Sequence, residues 1–272
     1  MKVRKSRGYK DLTPVGMKLE GYLRCLKFPE FCLAYMGKNP VPSFKKYRAA
    51  LLKFLTVKKP CGYQDKTISA FIRKHPHLNN DSKLGKALAG KVIELLKIKG
   101  TPDPESEMIV DAKPYLRGYL FIFYYLAKSL ESVMPKSKAI KYFQSMTDAH
   151  TRAMTFPKMK KVSEMVFDKK PLGAFKNAFN MTEFVLDDGR SGCRADKCKW
   201  AEVLKELHDP DYAYAVACHY DFEAVRMRNS AFVMTRTGTL AQGRPYCDFL
   251  WHDTRINKDM THPSKEFWEN LR

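Results

Sequence analysis

Asn180–Arg190 reads N-M-T-E-F-V-L-D-D-G-R, and here the chain changes character. Asn180–Leu186 is a short, β-prone run rich in Met, Thr, Phe and Val and reads as a strand. Asp187-Asp188-Gly189-Arg190 follows as a turn, since a D-G pair supplies the backbone freedom a tight hairpin needs. Downstream, Lys199–Leu207 has the spacing of a short helix. Asp209 and Pro210 supply an N-cap and a first helical position for another, running to about Phe222. Ala231–Thr237 reads as a strand, and Gly243-Arg244-Pro245 turns the chain into a last strand, Tyr246–Trp251.

Upstream the pattern is helical. Leu19, Tyr22, Leu23 and Leu26 share a helical face that Pro29 is expected to stop. Tyr47–Val57, Thr67–Arg73 and Lys83–Ile98 are further helices, the last with Ser82 as N-cap. His75-Pro76-His77 and the Asn79-Asn80-Asp81 that follows read as an exposed turn. After the break at Gly100-Thr101-Pro102-Asp103-Pro104 come two long patterns, Tyr115–Met134 and Lys136–Phe156, separated by Pro135. Pro171-Leu172-Gly173 is a breaker before the strand region. Helices first, then strands mixed with short helices, indicate an α+β fold: a helical N-terminal layer packed on a C-terminal antiparallel sheet. On this reading residues 1–60 are a basic, partly helical extension and residues 61–272 a single α+β domain. That domain is helical over 61–177, bears the motifs over 178–253 and ends in a tail, 254–272.

Composition narrows the function classes. The chain has 272 residues, 44% of them hydrophobic, enough for a sizeable core. The longest apolar run, Gly118–Ala127, is too short to span a bilayer, and Met1–Lys10 has no apolar stretch behind it. A cytoplasmic protein with reduced thiols is expected, because seven widely spread cysteines do not look like a disulfide framework. The net charge is +20, and residues 1–60 contribute 15 Lys/Arg against 3 Asp/Glu. Residues 178–253 carry 9 basic against 12 acidic, so the motif-rich part is not the basic part. The basic residues are scattered and follow no RRM, KH or zinc-finger pattern, which disfavours nucleic acid as a partner. Residues 1–12 read as polar, basic and loose.

Chemistry-bearing residues crowd into two blocks: Ala217-Cys218-His219-Tyr220-Asp221, and Thr235–Gly243 running into Cys247-Asp248-Phe249. A thiolate is a strong nucleophile once nearby cations lower its pKa. Cys218 and Asp221 are three apart and share a helical face. Arg236 and the backbone donors of Gly238 or Gly243 can supply a positive field or hold an anion. On a strand, Thr235, Thr237 and Thr239 face one side and Arg236 the other. His150 lies on an apolar helical face and reads as a core histidine with the option of reaching the site. Cys25, Cys32 and Cys61 read as small hydrophobes. Cys193, Cys198, Cys218 and Cys247 leave a competing reading open, a non-catalytic small-ligand or zinc/iron-binding module. The paired spacing of structural zinc sites is met only loosely by Cys193 and Cys198.

Cys198-Lys199-Trp200-Ala201-Glu202, Cys218-x-x-Asp221, Arg236-Thr237-x-Thr239-Leu240-Ala241-x-Gly243 and Cys247-Asp248-Phe249 together resemble the L-2-amino-thiazoline-4-carboxylate hydrolase family. The resemblance covers about residues 180–251. Lys199 stands where the family often has proline, and residues 1–60 and the tail after 252 look like additions. The resemblance implies hydrolysis at C2 of a cyclic isothiourea, opening a thiazoline ring to a carbamoyl-cysteine. It implies Cys218 as nucleophile and Asp221 as acid/base or amidine anchor. Cys247 and Asp248 are the next catalytic pair. Arg236 and Thr239 are substrate-carboxylate contacts, and Gly243 and His219 line the substrate. No cofactor or metal is expected, the partner is a small molecule, and homo-oligomerisation is left open.

Overall fold

The computed structural model describes residues 1–5, 13–57, 65–98, 103, 105–166 and 178–271. The chain forms two compact units, one of Thr13–Met146 and one of Met1–Leu12 with Thr147–Arg272. The expected segments Cys61 and Pro171-Leu172-Gly173, and all of Gly100–Pro104 but Asp103, lie outside the described residues. Residues 2–5 are not loose: they form β1 (Lys2–Lys5), an edge strand of the second unit.

In the first unit a ribbon of β2 (Val15–Met17) and β3 (Met108–Val110) accompanies a helical body. Its helices are α1 (Leu19–Leu23), α2 (Lys27–Lys38), α3 (Phe44–Phe54), α4 (Asp65–Arg73), α5 (Pro76–Asn80), α6 (Ser82–Leu95) and α7 (Ala112–Ser129). α8 (Lys136–Ala153) begins here and crosses the division between Met146 and Thr147. Leu19, Tyr47, Leu51, Leu88, Val92, Leu120, Leu126 and Phe143 are fully buried and form its interior. Three expectations change. Pro29 does not stop a helix; it sits in the first turn of α2, where a missing N–H costs nothing. His75-Pro76-His77 is exposed at Pro76 and His77 as expected but is not a turn: Pro76 begins α5, and the Glu30 carboxylate accepts the N–H groups of His77 and Leu78 at 2.9 and 2.8 Å. The cap of α6 is Asp81, not Ser82: its carboxylate accepts the Leu84 N–H at 3.2 Å and pairs with Arg48.

The second unit is built on an antiparallel sheet of order β1-β4-β5-β7-β6. The β-prone run at Asn180 becomes β4 (Phe179–Val185), and the turn brings the chain back as β5 (Ser191–Cys198) with Gly189 at φ +86°. Then follow α9 (Lys199–Leu204), α10 (Pro210–Ala217), α11 (Asp221–Arg228), β6 (Phe232–Thr235), β7 (Cys247–Asp253) and α12 (Lys265–Asn270). The single helix expected from Pro210 to about Phe222 is two helices, interrupted at residues 218–220.

Each sheet face has its own core. Cys193, Phe232, Met234 and Trp251 pack with Val162, Met165, Val166 and Val225. Phe184 and Leu250 pack with Trp268 and Leu271 of the C-terminal segment. The tail is therefore part of this core, and the fold is α+β. Among the described residues no helix is long and apolar enough to cross a membrane.

Candidate active site

α10 ends at Ala217, and Cys218 is its C-cap, with its N–H on the Tyr214 carbonyl at 2.9 Å. Asp221 begins α11. Cys218 and Asp221 therefore meet across an interhelical turn and not along one helical face. Arg236, just past β6, joins them: one guanidinium nitrogen donates to Asp221 Oδ2 at 2.9 Å, the other to the Cys218 carbonyl at 2.9 Å. The guanidinium side chain is 1% exposed and the carboxylate 28%. The rings of Tyr214, Phe222 and Phe249 lie 5.4, 5.0 and 5.0 Å from the guanidinium carbon, a cage that favours a cation through the ring faces. Burial opposes the charge of Arg236, but Asp221, Cys218 and Tyr214 outweigh it and its pKa is raised.

Three thiols share this neighbourhood. Burial pushes Cys218 up to about 12, and the Asp221 charge adds to the rise; the Arg236 charge pulls it back. Cys247 is likewise raised to about 12 by burial, opposed by the Leu240 N–H, which donates to its sulfur at 3.2 Å. Cys198 is raised to about 12 by burial and by the charges of Cys218 and Asp221. Thr239 is fully buried; it caps the short turn Leu240–Gln242 by accepting the Gln242 N–H, and Gly243 closes that turn at φ +80°. Gly243 thus shapes the backbone at an exposed position. Cys193 is on the sheet with its sulfur against Met181, in the apolar core. Among the described residues no group of three or more His, Cys, Asp or Glu is arranged to hold a metal ion.

Cys247 and Asp248 are neighbours on a strand, so they face opposite sides of the sheet. Cys247 joins the thiols. Asp248, buried, accepts the N–H groups of Thr237 and Gly238 at 3.0 Å each, the Thr237 hydroxyl, and His262 Nε2 at 3.1 Å. Burial raises its pKa, but these hydrogen bonds outweigh burial and hold it below the usual carboxylate range. His219 stands 3.1 Å from Asp148 of α8 through Nε2, between the rings of Tyr214 and Phe222. His150 is half-buried, and burial lowers its pKa. Sequence reasoning missed the aromatic cage and His262. Tyr214 and Phe222 lie four before and one after the Cys218–Asp221 pair, a spacing that could have suggested them. His262 sits in a tail without a motif.

Residues 120–251 match the model of the L-2-amino-thiazoline-4-carboxylic acid hydrolase family. The matched segment contains Cys198, Cys218, Asp221, Arg236, Thr239 and Cys247, and it stops before His252 and His262. The family is the one that the motifs resemble, and its name gives hydrolase as the activity class. Searches of curated proteins and of solved structures returned no match.

Proposed function

We propose that the chain is a hydrolase of a small cyclic amidine of the 2-aminothiazoline-4-carboxylate kind, with Cys218 as nucleophile. One observation carries this reading: a single buried, caged guanidinium ties Asp221 to the Cys218 backbone. An amidinium carbon is electrophilic and a sulfur nucleophile suits it. Cys218 sulfur adds to C2 as Asp221 takes its proton. The ring C2–S bond then breaks and the departing sulfur receives that proton, leaving an S-amidino enzyme. Water adds to the same carbon, the Cys218–carbon bond breaks, and an N-carbamoyl-cysteine leaves with the free thiol restored.

In this scheme Arg236 does not reach the substrate carboxylate; with its side chain 1% exposed it sets the field on the thiols and holds Asp221. Cys247 is the alternative nucleophile and Cys198 the third thiol. Incubation with 2-aminothiazoline-4-carboxylate and detection of the new thiol tests the reading. Cys218→Ala should abolish turnover, and a haloacetamidine should label Cys218 in the unmodified chain. Turnover surviving in Cys218→Ala but lost in Cys247→Ala moves the nucleophile to Cys247; no turnover in any form removes the substrate class.

A further inference from the structure

On the sheet face away from the thiols runs a string of polar groups that the hydrolytic scheme does not use. His262 Nε2 lies 3.1 Å from Asp248, its Nδ1 lies 2.9 Å from the Thr235 hydroxyl, and that hydroxyl lies 3.0 Å from His252 Nε2. Asp248 only accepts, so His262 Nε2–H donates to it. The Thr235 hydroxyl links the other ring nitrogen of His262 to His252 Nε2. His252 is fully buried, with Nδ1 lacking a hydrogen-bond partner, and burial lowers its pKa.

The string pins the backbone on both sides of Arg236. Thr235, the residue before it, is held by His262. Thr237 and Gly238, the residues after it, are held by Asp248, which His262 also holds. The guanidinium between them must project to the other face, where Asp221 and Cys218 receive it. His262 is itself well placed. Its ring stacks on Trp268 at 5.1 Å and 16°, and Trp268 is buried with its carbonyl accepting from Arg194. At the other end of the segment, Asn257 is fastened to Asp253 and to the Asp188 carbonyl at 3.0 and 2.9 Å.

We infer that His262 is a positioning residue for Arg236: by bridging Thr235 and Asp248 it fixes the loop that aims the guanidinium at Asp221 and Cys218. The claim rests on the proposed hydrolytic site for its purpose but not for its test. His262 lies outside the segment that matches the family, so the added tail completes the matched segment's site.

The test reads Arg236 directly, by solvent exchange of its guanidinium hydrogens in nitrogen-15 NMR of the full chain. His262→Phe keeps the stack on Trp268 and removes both hydrogen bonds. It should speed exchange at Arg236 about tenfold, the factor expected for one net hydrogen bond lost, while the sheet amides of β4 and β5 stay protected. Gln at 262 can still donate to Asp248, so His262→Gln should recover part of the protection. Asp221→Asn, which weakens the partner, should speed exchange by itself and shows that the signal responds. Thr235→Val cuts the other end of the string isosterically and should act like His262→Phe; it decides the matter if the Phe variant does not fold. Arg236 exchange unchanged in Thr235→Val or His262→Phe, with Asp221→Asn altered, overturns the inference. Turnover does not enter this readout, so a failed substrate assay leaves it standing and a failed exchange assay leaves the hydrolase reading standing.

Discussion

Asp221→Ala isolates what the buried guanidinium requires. Arg236 is 1% exposed at its side chain and Asp221 28%, so the two partners are unequally covered. Removing the carboxylate strands a cation inside the ring cage; removing the arginine leaves a carboxylate that already touches water. Stranding a buried charge costs about 3–5 kcal/mol. Here the Cys218 carbonyl and the three ring faces still receive the cation, so the expected loss is about 2–3 kcal/mol. At about 2–4 °C per kcal/mol that is a fall in Tm of roughly 5–10 °C. Asp221→Asn keeps an acceptor oxygen and should cost about half as much. Arg236→Met fills the cage without charge, and the double variant Asp221→Ala/Arg236→Met should be more stable than the sum of the singles by about 1–3 kcal/mol. Urea unfolding followed by circular dichroism at neutral pH measures each corner of the cycle. An Asp221→Ala loss below about 0.5 kcal/mol, or singles that simply add, would show that Arg236 does not depend on Asp221.

Cys218, raised to about 12 by burial, should alkylate about tenfold faster per pH unit from pH 7 to 10, with no plateau; mass spectrometry of iodoacetamide adducts follows it, and levelling off by pH 9 contradicts the burial. Asp248 has a folded-state pKa below its unfolded one, so its contribution is present in full above the unfolded value of about 3.9 and is lost as pH falls through the folded value. Asp248→Asn should therefore flatten the acid limb of stability below about pH 4, measured by urea midpoints from pH 2 to 7. Gly192→Ala should cost about 1–3 kcal/mol, because a Cβ there would sit 2.4 Å from the Phe249 carbonyl oxygen and 2.6 Å from the Phe184 ring; Gly243→Ala has open space around it and only backbone strain, so a Gly192 variant that melts no lower than the Gly243 variant is the contrary result.

The strand region was readable because its signals are local. The β-prone run Asn180–Leu186 and the D-G turn depend on neighbours in sequence, and β4, Gly189 and β5 appear where they point. Cys218 and Asp221 were readable as a pair but not as a geometry: their spacing fits a helix, yet α10 stops at Ala217 and a guanidinium fifteen residues on gathers them. Cys247 and Asp248 looked like one catalytic pair until the two-residue period of β7 put them on opposite faces. The helix across Pro29 and the strand at Lys2–Lys5 were misread for a shared reason. Both are settled by what packs or pairs against them, not by local preference. His262 carries no local signal at all; Asp248, Thr235 and Trp268 give it meaning only after the tail has folded back.

β1 has a consequence for how this chain is made. Its Arg4 donates to Glu183, 179 residues later, and its register runs from Lys2 opposite Val185 to Lys5 opposite Thr182. At about 5–20 residues per second, a ribosome takes on the order of 10–40 s to travel from one partner to the other. Throughout that interval β1 has no strand to join. When β4 does emerge, its outer edge stays open until a segment left far behind returns to cover it, and closing so long a loop is slow. An unpaired β4 edge is a template for another copy of the chain. A tag or a truncation at residues 1–5 should therefore show itself first as aggregation during synthesis, before any effect on the thiols or on Arg236.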